Sequence, residues 1–142
     1  MRVTETRLIG ATPDAVWKIG GDTANVAEWI PSLEKSHQEG DLRYATFAGD
    51  GGEAIERIVE HDDERRSYTY EYVSGPLPLR RYRSTFTVND HPDGAEVSWD
   101  ADFEATSANE EAALGTAITE IYRSALAELT DRVCPSPSGD GA

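Results

Sequence analysis

The hydrophobic period of this chain changes once, and that change limits the fold more than any single motif. From Leu42 to Glu104, apolar and polar residues alternate in five short segments separated by turn-rich stretches such as Gly49-Asp50-Gly51-Gly52 and His91-Pro92-Asp93-Gly94, the pattern of half-buried strands. From Asn109 to Arg132 the spacing is helical. Leu114, Ala117, Ile118, Ile121, Tyr122, Ala125, Leu126 and Leu129 mark one face, and Glu110, Glu111, Glu120, Arg123 and Glu128 mark the other. Many strands with one long helix, and no second helical layer, bury both apolar faces if the sheet curves round the helix, which tends to leave a cavity between them. The sequence therefore predicts a container.

The N-terminal third completes the plan. Arg2 to Ile9 alternate as a first strand, and Thr12-Pro13-Asp14 supplies a capping hydroxyl followed by proline in the first turn of a short helix. Ala15, Val16, Trp17 and Ile19 are its apolar side, and Gly20-Gly21 ends it. A second short helix is expected from Asn25 to Ile30, stopping before Pro31 because the proline ring disfavours helical geometry in the residue before it. The two are expected to form a V that supports the long helix. A strand from Leu33 to Gln38 brings the count to seven, joined most simply by sequential antiparallel hairpins. The expected architecture is α+β: a curved antiparallel sheet of about seven strands around a long C-terminal helix, with two short helices after the first strand. It forms a single domain over residues 1–133, with a flexible tail over 134–142. Gly115 interrupts a good helical run at roughly 1 kcal/mol relative to alanine in an exposed interior site, so the helix is expected to approach the sheet closely there.

Charge excludes some partners. With 27 acidic against 13 basic residues in 142, the net charge of −14 repels nucleic acid and anionic membrane surfaces. The single cysteine, Cys134, allows no intrachain disulfide, and His37, His61 and His91 lack metal-ligand spacing, so neither a metal nor a cofactor is expected. No nucleophile constellation and no glycine-rich phosphate loop appears. The opening MRVTETRLIG has neither an apolar signal core nor a bilayer-spanning run, and reads as the start of a soluble cytoplasmic protein, a monomer or weak homodimer.

Following strand phase through the hairpins identifies the inner face, because opposed residues share a side of the sheet. Pairing Val88 with Ala95 sets Ser84 against Trp99, and pairing Val73 with Arg81 sets Tyr70 against Ser84, giving a row of Tyr70, Ser84 and Trp99. Tyr68, Val88, Ala101 and Phe103 share that face, whereas Arg81, Arg83, Ser98, Asp100 and Asp102 lie on the other, so the first is the inside. Pairing Ala48 with Glu53 sets Ala45 against Glu56 and leaves Arg43 diagonal to Glu56, so that an inward-facing ion pair in an apolar interior competes with a solvated pair at the sheet rim.

Several segments carry a family likeness. Ala11-Thr12-Pro13-Asp14-Ala15-Val16-Trp17, Trp29-Ile30-Pro31, Glu56-Arg57-Ile58, Tyr68-Thr69-Tyr70, Gly75-Pro76-Leu77-Pro78-Leu79 and Val97-Ser98-Trp99-Asp100-Ala101-Asp102-Phe103 resemble, in order, the bacterial polyketide cyclase/dehydrase and lipid-transport family of the START-like, helix-grip superfamily. The resemblance covers Met1 to Val133. It implies a cavity facing Trp29, Arg43, Glu56, Tyr70, Pro78, Ser84, Trp99, Ile118 and Tyr122, and it implies no invariant catalytic set.

Three functions follow from such a container. The first is binding of a small hydrophobic molecule, a lipid, isoprenoid or aromatic polyketide, oriented by a few polar groups. The second is a cyclase or aromatase activity, in which Arg43 stabilises enolate charge, Glu56 serves as acid or base, and Tyr70 or Ser84 donates a hydrogen bond. The third is a stress-related or chaperone-contact module that uses the outer sheet surface, for which an exposed apolar patch is the signature.

Overall fold

The computed structural model describes residues 1–134. Strands β1 (Arg2–Ile9), β2 (Leu33–Glu39), β3 (Leu42–Phe47), β4 (Glu53–Asp62), β5 (Ser67–Ser74), β6 (Leu79–His91) and β7 (Gly94–Ala105) form one antiparallel sheet in the order β1-β7-β6-β5-β4-β3-β2. Sequential hairpins account for every pairing except that of β1, which closes against β7. With a short helix α1 (Pro13–Gly20), a 3-10 helix (Thr23–Glu28) and the long helix α2 (Ala108–Val133), this is the helix-grip arrangement. Apart from Cys134, the tail expected over 134–142 lies outside the described residues.

Local chemistry explains the helix ends. The Thr12 hydroxyl accepts from the Ala15 N–H and caps α1, with proline in its first turn. Ser107 caps α2 in the same way by accepting from the Glu110 N–H, and Glu110 and Glu111 sit at the positive end of the helix dipole. Helix α2 runs unbroken through Gly115 and buries Leu114, Ile118, Tyr122, Ala125, Leu126 and Leu129, with Ile121 half-buried beside them. Ala117, expected on this face, is exposed. A Cβ at Gly115 would run into the Met1 sulfur and stand 3.9 Å from Phe103, so the close approach is chiefly to the residue preceding β1.

The second short element departs from expectation. It is a 3-10 helix displaced two residues toward the N-terminus from Asn25–Ile30, with Asn25 outside helical geometry at φ −111° and ψ 28°. Helix α1 packs against α2, and the 3-10 helix packs on β2 and β3.

Two registers differ from the sequence reading by two residues each. The β6–β7 turn is tighter than expected, so Phe86 faces Trp99 and Ser84 faces Ala101. The β3–β4 connection is longer, and Arg43 sits directly across from Glu56, with Ala45 across from Ala54. A shift of two preserves the face of every side chain. Tyr68, Tyr70, Ser84, Val88, Trp99, Ala101 and Phe103 are buried, whereas Arg81–Asp102 and Arg83–Glu71 form ion pairs outside. In β4, pairing slips between Ile58 and Glu60, leaving Val59 as an extra residue that bends the strand. Beyond this bulge His61 falls opposite Tyr68 and stacks on Trp17 at 5.4 Å, an inward position that strict alternation from Ile58 does not give.

Candidate ligand cavity

Beneath the middle of α2 the two layers do not quite meet. The free volume is about 80 Å³, lined by 18 residues from β3, β4, β5, β6, β7, α2 and the segments around Ile30 and Leu77. Leu33, Phe47, Tyr72, Leu77, Leu79 and Ile121 are half-buried and mark its solvent side, while Ala45, Ala54, Tyr70, Trp99, Ile118 and Tyr122 are buried. The walls are apolar except for a few polar groups, most of which hold one another.

The charged group is Arg43 with Glu56. Their direct pairing across β3 and β4 brings Arg43 Nε to 2.9 Å from Glu56 Oε1, with the arginine side chain 3% and the glutamate 16% exposed. Arg43 Nη1 also donates to the Thr23 carbonyl and to the Tyr68 hydroxyl, each at 3.3 Å, and the guanidinium lies over the Tyr70 ring, 4.5 Å from its centroid. Burial opposes the charge, but the fields of Glu56, Tyr68 and Tyr70 outweigh it and hold the guanidinium above its usual range. Arg43 stays charged. Burial, offset in part by Arg43, pushes Tyr68 up to about 12.

The second polar group is a ladder of hydroxyls. Tyr70 meets Tyr82 at 3.3 Å, Tyr82 meets Tyr122 in a short contact, and Tyr122 meets Ser84 at 2.8 Å. Ser84 donates to the Asp100 carbonyl at 2.7 Å and accepts from the Trp99 indole at 3.1 Å. The Trp99 ring lies flat on Tyr122, 3.9 Å between centroids. Burial drives Tyr82 and Tyr122 well above the usual phenol range, so both keep their protons at neutral pH.

Of the nine positions inferred from sequence, Arg43, Glu56, Tyr70, Trp99, Ile118 and Tyr122 line the cavity. Three do not. Trp29 is buried between Phe86 and Trp99, Ser84 is sealed beneath Tyr122, and Pro78 is flanked by Leu77 and Leu79, which do line it. In the row of Tyr70, Ser84 and Trp99 the middle member does not face open space, because Tyr122 bonds to Ser84 and lies flat on one face of Trp99, and Ala45, Ala54, Arg43 and Glu56 of β3 and β4 complete the wall. Tyr82 was missed, although it lies on the same face of β6 as Ser84, and so was Ser32, whose buried hydroxyl has no partner among the described residues. Among the described residues no group of three or more His, Cys, Asp or Glu side chains is placed to hold a metal ion.

The chain matches the family described as "Polyketide cyclase / dehydrase and lipid transport" over residues 1–133. It belongs to that family. Members of this fold typically bind hydrophobic ligands. Among solved structures it is similar to the protein XoxI from Bacillus cereus, with a TM-score of 0.85 and 27% identity over 94% of this chain and 96% of that one. A START superfamily protein from Mycobacterium smegmatis aligns with a TM-score of 0.79 at 15% identity, covering 93% of this chain and 96% of that one. The Zhui aromatase/cyclase from a Streptomyces species gives 0.79 at 17%, covering 94% and 93%. These last two show a shared fold. No curated protein matches the chain in sequence. Among the described residues no helix is long and apolar enough to cross a membrane.

Proposed function

We propose that this protein binds a small hydrophobic molecule of lipid, isoprenoid or aromatic polyketide type in the cavity between the sheet and α2, as a cytoplasmic monomer or weak homodimer. The observation that carries the reading is an apolar cavity whose solvent side is itself mostly apolar, at Leu33, Phe47, Leu77, Leu79 and Ile121, with the Tyr72 ring beside them. Its free volume is far below the roughly 300–1,000 Å³ of pockets for drug-sized ligands, so a long molecule enters by parting that rim and seats only one end inside.

The enzyme reading has one observation in its favour: Arg43, Glu56 and Tyr70 all line the cavity. Against it, Arg43 is already neutralised by Glu56, and Tyr82 and Tyr122 hold their protons too tightly to exchange them near neutrality. Binding is the better account. The chaperone-contact reading has little support, since the exposed large apolar residues Met1, Leu8, Val59 and Val73 are scattered among ion pairs.

Trp99 provides the test. A ligand against the cavity wall should change indole fluorescence, and Trp99→Phe should abolish most of that change while the fold persists, leaving Trp17 and Trp29 as a constant background. Titration with fatty acids, isoprenoids and polycyclic aromatics checks this. Absence of any change in the spectrum or Tm of the wild type would sink the binding reading.

A further inference from the structure

The hydroxyl ladder has a direction. Ser84 has one proton and gives it to the Asp100 carbonyl, so its oxygen can only accept from Tyr122, as it does from Trp99. Tyr122, having donated to Ser84, must accept from Tyr82, and Tyr82 in turn must accept from Tyr70. Every proton points toward β7. Tyr70 is the last member, and its proton is committed to Tyr82 while its oxygen retains acceptor capacity with no other partner among the described residues. Because burial holds Tyr82 and Tyr122 in the protonated state, the direction persists across the neutral range.

The rest of the polar lining is mixed: the Tyr72 hydroxyl accepts from the Leu77 N–H and keeps its own proton, and the Ser32 hydroxyl has no partner among the described residues, whereas the charged pair offers a ligand little. Glu56 accepts only, and its sole partner among the described residues is Arg43. Arg43 directs Nε and Nη1 to protein oxygens and presents its face to the Tyr70 ring. An entering anion would gain little from an arginine whose charge Glu56 already offsets, and would meet the carboxylate itself. An entering hydrocarbon would leave the Tyr70 oxygen without a donor.

We propose that the cavity selects ligands whose buried end is a compact hydroxyl-bearing group of about one ring, a phenol or cyclic alcohol, with the hydroxyl proton donated to Tyr70. This rests on the binding reading and narrows it to one chemistry at the inner end. The size limit follows from the free volume of about 80 Å³, smaller than the roughly 150 Å³ engineered cavity that admits benzene, so a ring fits only with its far edge toward the rim.

Fluorine NMR with para-fluorophenol, para-fluorotoluene and para-fluorobenzoate tests it. The phenol should bind about tenfold or more tightly than the toluene, and the benzoate more weakly than either. Tyr70→Phe should bring the phenol down to the level of the toluene. Equal affinity of phenol and toluene for the wild type, tighter binding of benzoate, or a phenol preference that survives Tyr70→Phe each overturns the inference while leaving the cavity as a binding site. If Tyr70→Phe does not fold, the wild-type series decides alone. Binding of none of the three, together with no fluorescence or Tm response to any larger hydrophobic compound, overturns the binding reading itself.

Discussion

Glu56→Gln is expected to destabilise the protein by about 3 kcal/mol, the lower end of the range for breaking a buried ion pair by removing one partner. Arg43 is almost fully enclosed, its charge is held firmly, and its remaining acceptors are one backbone carbonyl and one tyrosine hydroxyl. Glutamine keeps an oxygen for the Arg43 Nε but not the charge that offsets burial. The partial exposure of Glu56, 16%, keeps the effect from the top of the range. For a chain of this size the loss should lower Tm by roughly 6–12 °C. The double variant Arg43→Met with Glu56→Leu should recover most of it, because apolar replacement of a buried pair is often near neutral. Chemical denaturation of the three variants measures both quantities. A loss below about 0.5 kcal/mol for Glu56→Gln would mean that the pair behaves as a surface salt bridge.

Phe86→Ala should cost about 3–5 kcal/mol. Phe86 is fully buried where α1, the residues after the 3-10 helix and the inner sheet converge, with Trp17, Trp29, Tyr68 and Trp99 within 6.4 Å between ring centroids. Gly20 gives it room, since a Cβ there would lie 2.7 Å from the ring edge. Gly20→Ala should therefore also destabilise, by about 1–3 kcal/mol as overpacking does. Its cost should shrink in a Phe86→Leu background, because the two changes share one contact. Urea unfolding of the single and double variants checks both; additive losses would remove the proposed contact from the account.

The same elements show what was legible in the sequence. Alternation places Tyr68, Ser84, Trp99 and Phe103 on the inner face because the two-residue period survives a register error of two, and both misjudged hairpins erred in register by that amount. Partners do not survive it. Trp99 faces Phe86 instead of Ser84, and Glu56 faces Arg43 instead of Ala45. The bulge at Val59 leaves no mark in composition, so the inward turn of His61 onto Trp17 was invisible. Least legible was the filling of the container. Tyr122 was placed correctly on the inner face of α2, but whether its ring lines a wide space or lies flat on Trp99 depends on distances between layers that periodicity does not encode. Ser84 was displaced from the cavity for that reason.

The central claim is that the space beside Ala54 is where a hydrophobic molecule sits. Ala54 and Ala45 face each other across β3 and β4, both buried and both on the cavity wall, so Ala54→Leu would add three carbons to the free volume of about 80 Å³. The deciding measurement is a backbone-amide NMR titration of wild type and Ala54→Leu with a fatty acid, an isoprenoid alcohol and a polycyclic aromatic. The account predicts saturable shifts in the wild type centred on Tyr72, Leu77 and Ile121 for at least one compound, and their loss in Ala54→Leu with Tm unchanged or raised. Shifts of the same size and location in both proteins, or none in the wild type, would contradict it.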